Sequence, residues 1–256
     1  MRPTAPRLAA HWSHVSARLR ASRRVAFFLD FDGTLAPSVS RPEQARLPAA
    51  MRRVLRRLAR HPRATVVVIS GRRRADLRRR VGVAGIRYLG LYGLEDSRPL
   101  RLSGSALVAL KTVGVHLARA LPHTPRVWIE NKRVSLTVHL RDAPARVARQ
   151  ARREVQRALR PFRSRLCGLE NLRDVEIVPR AVAGKGAAVR RLLAQPGLRG
   201  ALAVYFGDDL SDEPGFAAVG RGVAVLVTSG RPTRAHYTVG RAARVAAWLS
   251  QMEAVL

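Results

Sequence analysis

Three apolar runs of strand length each stop abruptly at a cluster of polar residues, and this pattern constrains the fold more than any other feature of the sequence. The first run begins at Val25 and stops at Asp30, the second covers Ala64 to Ile69, and the third covers Ala201 to Phe206. Continuous apolar runs of this length are typical of parallel strands that are buried on both faces of a sheet. The chain is therefore predicted to build an α/β core.

The residues between the first two runs predict a crossover helix. From Pro48 to His61, apolar side chains fall on one helical face and arginines on the other. A strand, a helix and a second strand form a right-handed unit in which both strands end at the same edge of the sheet. Asp30 and Ser70 are therefore expected to meet at that edge.

The middle of the chain has a different pattern of apolar and polar residues, which predicts an inserted α+β module over residues 101–177. Residues 134–140 alternate between apolar and polar side chains, as expected for a strand with one face in solvent or towards a cleft. The predicted organisation is an N-terminal tail or helix at 1–23, a core formed by 24–100 and 178–256, and a small cap domain between the two core segments.

The polar clusters at the strand ends suit phosphate chemistry that depends on a cation. Mg²⁺ prefers oxygen ligands and commonly takes one or two carboxylates, for which Asp30 and Asp208 are the natural candidates. Asp30 can also act as a nucleophile towards phosphorus when nearby cations neutralise the phosphoryl oxygens. Asp32, two residues further on, can protonate the leaving oxygen and later deprotonate water.

The remaining polar residues of the clusters can hold a phosphoryl group. Thr34, Ser70 and Lys185 would bind the oxygens on which negative charge must be stabilised. Each cluster alone also fits a turn or a helix cap. Taken together they indicate a cation site, because only 17 residues are acidic and four of them lie between Asp208 and Glu213.

The formal charge of +31 leaves two interpretations open. A polyanion partner such as a nucleic acid is one, since clustered basic residues form its electrostatic footprint. A general preference for arginine on the solvated surface is the other, and it is favoured because the basic residues are dispersed through helices. No specific nucleic-acid partner is therefore expected.

Cysteine content and hydropathy bear on the compartment. The lone cysteine, Cys167, excludes an internal disulfide and indicates a reducing compartment, so a cytoplasmic location is expected. No apolar run approaches the roughly 18 residues that span a bilayer, so no membrane association is expected. The arginine-rich start, from Met1 to Arg24, superficially resembles a transit peptide, but a first helix or a frayed tail is the favoured interpretation.

Four motifs, in order, resemble those of the haloacid-dehalogenase superfamily of phosphohydrolases. They are Asp30-Phe31-Asp32-Gly33-Thr34-Leu35, Ser70-Gly71-Arg72, Lys185, and Gly207-Asp208-Asp209-Leu210-Ser211-Asp212-Glu213. Within that superfamily the chain resembles the trehalose-6-phosphate phosphatases, through these motifs together with Gly93-Leu94-Glu95, the stretch from Glu130 to Arg141, and Glu176-Ile177-Val178-Pro179.

The resemblance implies a Rossmann-like parallel-sheet core with helices on both faces, an inserted α+β cap, Mg²⁺ dependence and a sugar-phosphate substrate. It implies the following site residues: catalytic Asp30, Asp32 and Lys185; phosphate-binding Asp32, Gly33, Thr34, Ser70, Gly71, Arg72 and Lys185; metal-binding Asp30, Asp32, Asp208, Asp209 and Asp212; and, in the cap, sugar-binding Glu130, Lys132, Ser135 and Arg141.

The expected reaction is hydrolysis of trehalose 6-phosphate through an aspartyl-phosphate intermediate, with trehalose-6-phosphate synthase as the pathway neighbour. Alternatives are a phosphatase of the same superfamily acting on sucrose phosphate or on a glucosyl- or mannosyl-glycerate phosphate, and a basic nucleic-acid-binding protein on an inactive scaffold. Two positions depart from the family pattern, because Tyr92 stands where it usually has His and Val178 where it often has Arg. Both departures are expected to affect contacts with the substrate rather than the phosphoryl chemistry.

Overall fold

A computed structural model describes residues 4–39, 41–97, 102–121, 124, 126–171, 173–180, 184–228 and 230–256 of the chain. The strands are β1 Val25–Leu29, β2 Ala64–Ile69, β3 Arg87–Leu89, β4 Trp128–Asn131, β5 Leu136–His139, β6 Leu166–Glu170, β7 Asp174–Pro179, β8 Leu202–Gly207, β9 Val223–Leu226 and β10 Tyr237–Thr238. The α-helices are α1 Trp12–Ala21, α2 Ala49–Arg60, α3 Arg74–Val81, α4 Gly104–Ala120, α5 Ala145–Leu159, α6 Lys185–Leu193, α7 Glu213–Ala218 and α8 Val245–Glu253.

The chain divides into two compact units. One, the core unit, contains Met1–Ser97 and Lys185–Leu256, and the other, the cap unit, contains Arg98–Gly184. The boundary predicted between residues 177 and 178 falls inside β7, which continues to Pro179 and pairs with β6 along its length. The boundary predicted between residues 100 and 101 lies outside the described residues.

The core unit is built on a parallel sheet whose strand order is β10-β9-β8-β1-β2-β3. β1 is central, and all five of its residues are buried. Val25, Phe27 and Leu29 pack into one apolar cluster with α1, α2 and α8, while Ala26 and Phe28 pack into a second cluster with α6 and α7. The predicted burial of this strand on both faces is confirmed, and so is the predicted fold class.

The first helix belongs to this core. Val15 and Leu19 of α1 are fully buried in the same cluster as β1, α2 and α8, and the Trp12 and Trp248 rings contact each other at 5.5 Å between centroids. The segment predicted as a tail or a helix thus contains a helix, α1, that packs against the core. Short elements went unpredicted, namely β10, two residues long, and the six-residue helix α7.

The cap unit is a four-stranded antiparallel sheet in the order β4-β5-β7-β6. Leu136 and Val138 of β5 pack with Val175 and Ile177 of β7 into one apolar cluster with α4 and α5. The alternation predicted for β5 is therefore present. The opposite face carries Thr137 and the other polar residues, whose contacts are described below.

Among the described residues, none of the helices combines the length and the apolar character needed to cross a bilayer.

Candidate active site

The carboxyl ends of β8, β1 and β2 are adjacent in the core sheet, so the residues that follow these strands lie at one edge. Asp30 follows β1, Ser70 follows β2, and Asp208 follows β8. The Asp30 backbone N–H donates to the Phe206 carbonyl oxygen at 3.0 Å, which ties the end of β1 to the end of β8. The predicted meeting of these strand ends is confirmed.

Lys185, the first residue of α6, joins two of the carboxylates. Its ammonium donates to Asp30 Oδ1 at 2.7 Å and to Asp212 Oδ1 at 2.6 Å, and all three side chains are buried. Charge-assisted hydrogen bonds of this kind are strong in a low-dielectric environment. Lys185 therefore fixes the orientation of the Asp30 carboxylate.

Burial and neighbouring charges shift the pKa values of three residues at this edge of the sheet. Burial raises the pKa of Asp30 well above its ordinary value, against the opposing effect of Lys185. Burial, together with the negative charge of Asp212, raises the pKa of Asp208 to about 7. Burial disfavours the charged form of Lys185, but the carboxylates of Asp212 and Asp30 outweigh it and raise the pKa of the lysine. Burial therefore disfavours the ionised forms of Asp30 and Asp208 despite the lysine, and a bound cation would favour them.

Asp212 accepts four hydrogen bonds from protein donors. Oδ1 accepts from the Lys185 ammonium and from the Tyr205 hydroxyl at 2.8 Å, while Oδ2 accepts from the backbone N–H groups of Asp208 at 3.1 Å and Asp209 at 3.0 Å. A carboxylate offers about four acceptor sites. Asp212 thus supplies negative charge and holds the loop after β8, and it has little capacity left to ligate a metal directly.

Gly33 and Thr34 pack against Asp208. Gly33 has a φ of +83°, and a Cβ at this position would lie 2.1 Å from Asp208 Oδ2, so any side chain would collide with the carboxylate. The Thr34 hydroxyl lies 3.4 Å from Asp208 Oδ1. The absence of a side chain at Gly33 therefore lets the backbone lie directly against the Asp208 carboxylate.

Asp32 contacts Arg72 rather than the Lys185 cluster. Arg72 donates to both Asp32 oxygens at 2.7 Å and also to Asp76 Oδ2 at 3.1 Å and the Pro42 carbonyl oxygen at 2.6 Å. The guanidinium, which the motif suggested as a phosphate ligand, is thus directed to protein acceptors. The Asp32 side chain is 41% exposed, whereas that of Asp30 is 6% exposed.

The Ser70-Gly71 turn is packed beneath Tyr92. The Ser70 hydroxyl accepts from the Arg72 backbone N–H at 3.1 Å, and the Tyr92 backbone N–H donates to the Ser70 carbonyl oxygen at 2.9 Å. A Cβ on Gly71 would lie 2.6 Å from the Tyr92 hydroxyl oxygen. Tyr92 is buried, has a φ of +58°, and its ring centroid is 6.0 Å from the Lys185 ammonium. The departure at this position therefore lies against the Ser70-Gly71 turn.

Asp209 has a local structural role. It precedes the 3₁₀ turn Leu210–Asp212, and its carboxylate accepts from the Leu210 backbone N–H at 2.6 Å in a capping box with Asp212. Three carboxylates in the described residues, those of Asp30, Asp208 and Asp212, place oxygen atoms within 4.8 Å of one another. Asp32 and Asp209, which the motifs also suggested as metal ligands, are not brought into this group.

In the cap unit, polar residues converge on Glu176. This carboxylate is fully buried and accepts from Lys132 at 3.1 Å, from Ser135 at 2.7 Å and from Thr137. Burial raises its pKa, against the opposing charge of Lys132. Glu176 was not among the predicted site residues, and only its place in a family motif distinguished it in the sequence.

Glu130 and Arg141 are the other two predicted sugar-binding residues of the cap unit. Glu130 Oε2 is 3.9 Å from the Lys132 ammonium and 3.0 Å from His139 Nε2. Arg141 follows β5 and is half-buried. Val178, the second departure from the family pattern, is fully buried in β7, and its carbonyl oxygen accepts from the half-buried Cys167 thiol at 3.8 Å.

The sequence from residue 28 to residue 243 matches the family model described as trehalose-phosphatase. The chain belongs to this family. The trehalose-phosphate phosphatase of Mycobacterium tuberculosis is 32% identical over 247 residues, which cover 90% of this chain and 62% of that protein. The chain therefore spans less than two thirds of the length of this curated relative.

Solved structures of trehalose-6-phosphate phosphatases resemble this chain. The trehalose-6-phosphate phosphatase of Aspergillus fumigatus superposes with a TM-score of 0.71 and 26% identity, over 98% of this chain and 100% of that one. The C-terminal domain of the Candida albicans trehalose-6-phosphate phosphatase has a TM-score of 0.83 at 22% identity, over 98% and 99% of the two chains, and shows the same fold. The resemblance to the trehalose-phosphatase family drawn from the motifs is confirmed.

For a member of the trehalose-phosphatase family, the donor set at the sheet edge is compatible with a divalent metal ion. Carboxylate oxygens are the ligands that hard cations prefer, and because burial raises the pKa values of Asp30 and Asp208, a cation there would favour their ionised forms. Asp30, Asp208 and Asp212 form the group of carboxylates compatible with such an ion, and Asp212 also accepts from four protein donors.

Proposed function

We propose that the chain hydrolyses trehalose 6-phosphate to trehalose and phosphate in a Mg²⁺-dependent reaction. The observation that carries this proposal is the cluster of buried Asp30, Lys185 and Asp212 with half-buried Asp208 at the carboxyl edge of the core sheet of a trehalose-phosphatase family member. The substrate would be supplied by a trehalose-6-phosphate synthase, the neighbouring enzyme of the pathway.

Asp30 is the proposed nucleophile. Its Oδ1 is held by the Lys185 ammonium, so Oδ2 is the oxygen that would attack phosphorus. A bond forms between Asp30 and phosphorus while the bond from phosphorus to the sugar oxygen breaks, and the sugar oxygen takes up a proton. Water then attacks the phosphorus of the aspartyl phosphate, which releases phosphate and restores the Asp30 carboxylate.

Asp32 is the proposed proton carrier. Both oxygens of its carboxylate accept hydrogen bonds from Arg72. The pair must therefore open before Asp32 protonates the leaving sugar oxygen, and the partial exposure of the side chain allows that movement. Once returned to its ionised form, Asp32 accepts a proton from the attacking water.

Lys185, Ser70 and Thr34 would bind the phosphoryl oxygens, and Asp30 and Asp208 would hold Mg²⁺. When bound, the ion supplies the positive charge that offsets the charge of the phosphoryl group and of the nucleophile. The Ser70 hydroxyl accepts a hydrogen bond from the backbone of Arg72, so its own hydrogen can be directed towards an anion. Gly33 and Gly71 have no side chain, so the backbone can lie close to Asp208 at the first position and close to Tyr92 at the second.

In buffer without divalent cations, we expect the free energy of unfolding to fall between about pH 4 and about pH 7, because folded Asp208 has a pKa of about 7 and an unfolded aspartate titrates near 3.9. A raised folded pKa stabilises the fold while the proton is bound, and the stabilisation is lost as the pH rises through it. Chemical denaturation at several pH values measures this fall, and millimolar Mg²⁺ is expected to reverse it at the upper end.

Asp208→Asn is expected to flatten this pH dependence and to remove most of the stabilisation by Mg²⁺. Asp142→Asn is the matched control, because Asp142 is exposed and lies in the cap unit. An Asp208→Asn chain that Mg²⁺ stabilises as strongly as the unsubstituted chain would refute Asp208 as a ligand.

A phosphate-release assay over a panel of substrates tests the proposed specificity. With Mg²⁺ present, trehalose 6-phosphate is expected to be hydrolysed with a kcat/KM at least about a hundredfold above that of glucose 6-phosphate, since a site that hydrogen-bonds substrate hydroxyls discriminates by factors of this size or more. The panel includes sucrose phosphate and glucosyl- and mannosyl-glycerate phosphates. Equal rates for trehalose 6-phosphate and glucose 6-phosphate would exclude the specific assignment, and a higher value for another sugar phosphate would reassign the substrate.

A further inference from the structure

One face of the cap sheet carries an aromatic pair beside its polar network. In the register of β4 and β5, Trp128 lies opposite His139 and Glu130 lies opposite Thr137. Side chains alternate along a strand, and the residues between these positions, such as Ile129 and Val138, pack into the apolar cluster with α4 and α5. Trp128, Glu130 and His139 therefore share the opposite face.

The His139 ring is held by two contacts. It stacks on the Trp128 ring with 3.7 Å between centroids and 17° between ring planes. Its Nε2 lies 3.0 Å from Glu130 Oε2, and because an ionised carboxylate only accepts hydrogen bonds, Nε2 is the donor. A ring fixed at its face and at its edge has little freedom to rotate.

The two glutamates of this face differ in accessibility. Glu176 has no exposed surface and is surrounded by Lys132, Ser135 and Thr137, which complete its hydrogen bonding inside the unit. The Glu130 side chain is 41% exposed. Glu130 is therefore the acceptor that an incoming polyhydroxylated ligand can reach.

His139 determines where the Glu130 carboxylate points. The Lys132 ammonium lies 3.9 Å from Glu130 Oε2 but is closer to Glu176, at 3.1 Å, whereas His139 Nε2 lies 3.0 Å from Glu130 Oε2. A flexible glutamate loses rotamer freedom when it binds a ligand, whereas one that is already oriented does not. The hydrogen bond from a locked imidazole supplies that orientation in advance.

We propose that His139, locked against Trp128, is a positioning residue that orients Glu130 to accept hydrogen bonds from hydroxyl groups of the sugar. The inference rests on the proposed function, because it takes the substrate to be a disaccharide phosphate. A carboxylate accepts strong hydrogen bonds from hydroxyl groups, and a site built around them disfavours phosphate esters that lack them. The Trp128–His139 pair thus contributes to the selection of a sugar phosphate over a simple aryl phosphate.

The test compares the kcat/KM for trehalose 6-phosphate with that for p-nitrophenyl phosphate in the full chain. His139→Leu is expected to lower the ratio of the two values about tenfold, mainly through a higher KM for the sugar phosphate, which corresponds to the loss of one oriented charge-assisted contact. His139→Gln keeps an N–H donor and is expected to restore part of the ratio. Trp128→Leu removes the ring that locks His139 and is expected to lower the ratio in the same direction.

A double-mutant cycle tests whether His139 acts through Glu130. If it does, adding His139→Leu to Glu130→Gln lowers the ratio little further, because the oriented carboxylate is already absent. The matched control is His116→Leu, since His116 is an exposed histidine of α4 in the same unit, and it is expected to leave the ratio unchanged.

The outcomes separate this inference from the proposed function. Additive effects of His139→Leu and Glu130→Gln, or an unaltered ratio in both His139→Leu and Trp128→Leu, would overturn the positioning role alone. Should His139→Leu fail to fold, the same cycle is run with Trp128→Leu and read in the same way. An unsubstituted chain that hydrolyses p-nitrophenyl phosphate but not trehalose 6-phosphate would overturn the proposed function and this inference with it.

Discussion

Replacing Asp30 with asparagine is expected to lower kcat for trehalose 6-phosphate by at least about a thousandfold, since loss of a nucleophile costs this much or more in enzymes that form covalent intermediates. The amide is a poor nucleophile towards phosphorus, and Asp212, the other carboxylate that accepts from Lys185, already accepts from three further protein donors. Phosphate release under saturating substrate measures the change. A kcat above about 1% of the unsubstituted value would refute Asp30 as the nucleophile.

The fold is expected to survive this substitution. Burial raises the pKa of Asp30, which means that the buried site disfavours the charged form and that a neutral amide of the same shape is tolerated. Chemical denaturation is therefore expected to show an unfolding free energy close to that of the unsubstituted chain. Asp96→Asn is the matched control, because Asp96 pairs with Arg87 away from the strand ends and its loss is expected to leave kcat largely intact.

Replacing Lys185 with methionine is expected to remove most of the activity and also about 3–5 kcal/mol of stability at neutral pH, the range found when one partner of a buried ion pair is lost. Methionine retains much of the side-chain volume but leaves Asp30 and Asp212 buried without their cation. Urea denaturation measures the change in the free energy of unfolding. The loss is expected to shrink towards about pH 5, because protonation of neighbouring carboxyl groups relieves their repulsion.

Two controls separate this effect from a general loss of packing. Tyr205→Phe removes one neutral donor to Asp212 and keeps the ring, so it is expected to cost about 1–2 kcal/mol, the usual range for a buried hydrogen bond. Lys111→Met removes an exposed lysine of α4 and is expected to change stability very little. A Lys185→Met chain as stable as the unsubstituted chain would contradict the assigned role of this lysine.

The core of the site could be predicted because its residues are marked by local pattern. A buried apolar run that stops at an aspartate identifies the end of a parallel strand, and the rule for crossover connections then places Asp30, Ser70 and Asp208 at one edge. The roles of their neighbours could not be predicted in this way. Whether Arg72 is directed to a phosphate or to Asp32 depends on side-chain geometry between segments 40 residues apart, which no periodicity records.

Residues whose function depends on distant partners were missed. In the sequence, Tyr205 is one of several bulky residues in the run that forms β8. Only the structure shows that its hydroxyl donates a hydrogen bond to Asp212. In the cap, alternation along β5 predicted one polar face in solvent or towards a cleft, yet Ser135 and Thr137 are almost completely buried. They are covered because Glu176 and Lys132 complete their surroundings, and the burial of a polar side chain depends on partners from other strands.

The pairing of Lys185 with Asp30 also bears on how the chain tolerates change in its length. Asp30 precedes the whole of Arg98–Gly184 and Lys185 comes directly after it, so the hydrogen bond closes a loop that contains the entire cap unit. The entropic cost of closing a loop grows only logarithmically, by about 0.6 kcal/mol for each doubling of its length. Residues added to the surface connections of the cap unit therefore add little to the cost of closing this loop, whereas its two ends cannot separate without breaking the hydrogen bond between Asp30 and Lys185. The length of these connections can therefore change at low cost, because two buried charges hold the ends of the segment together.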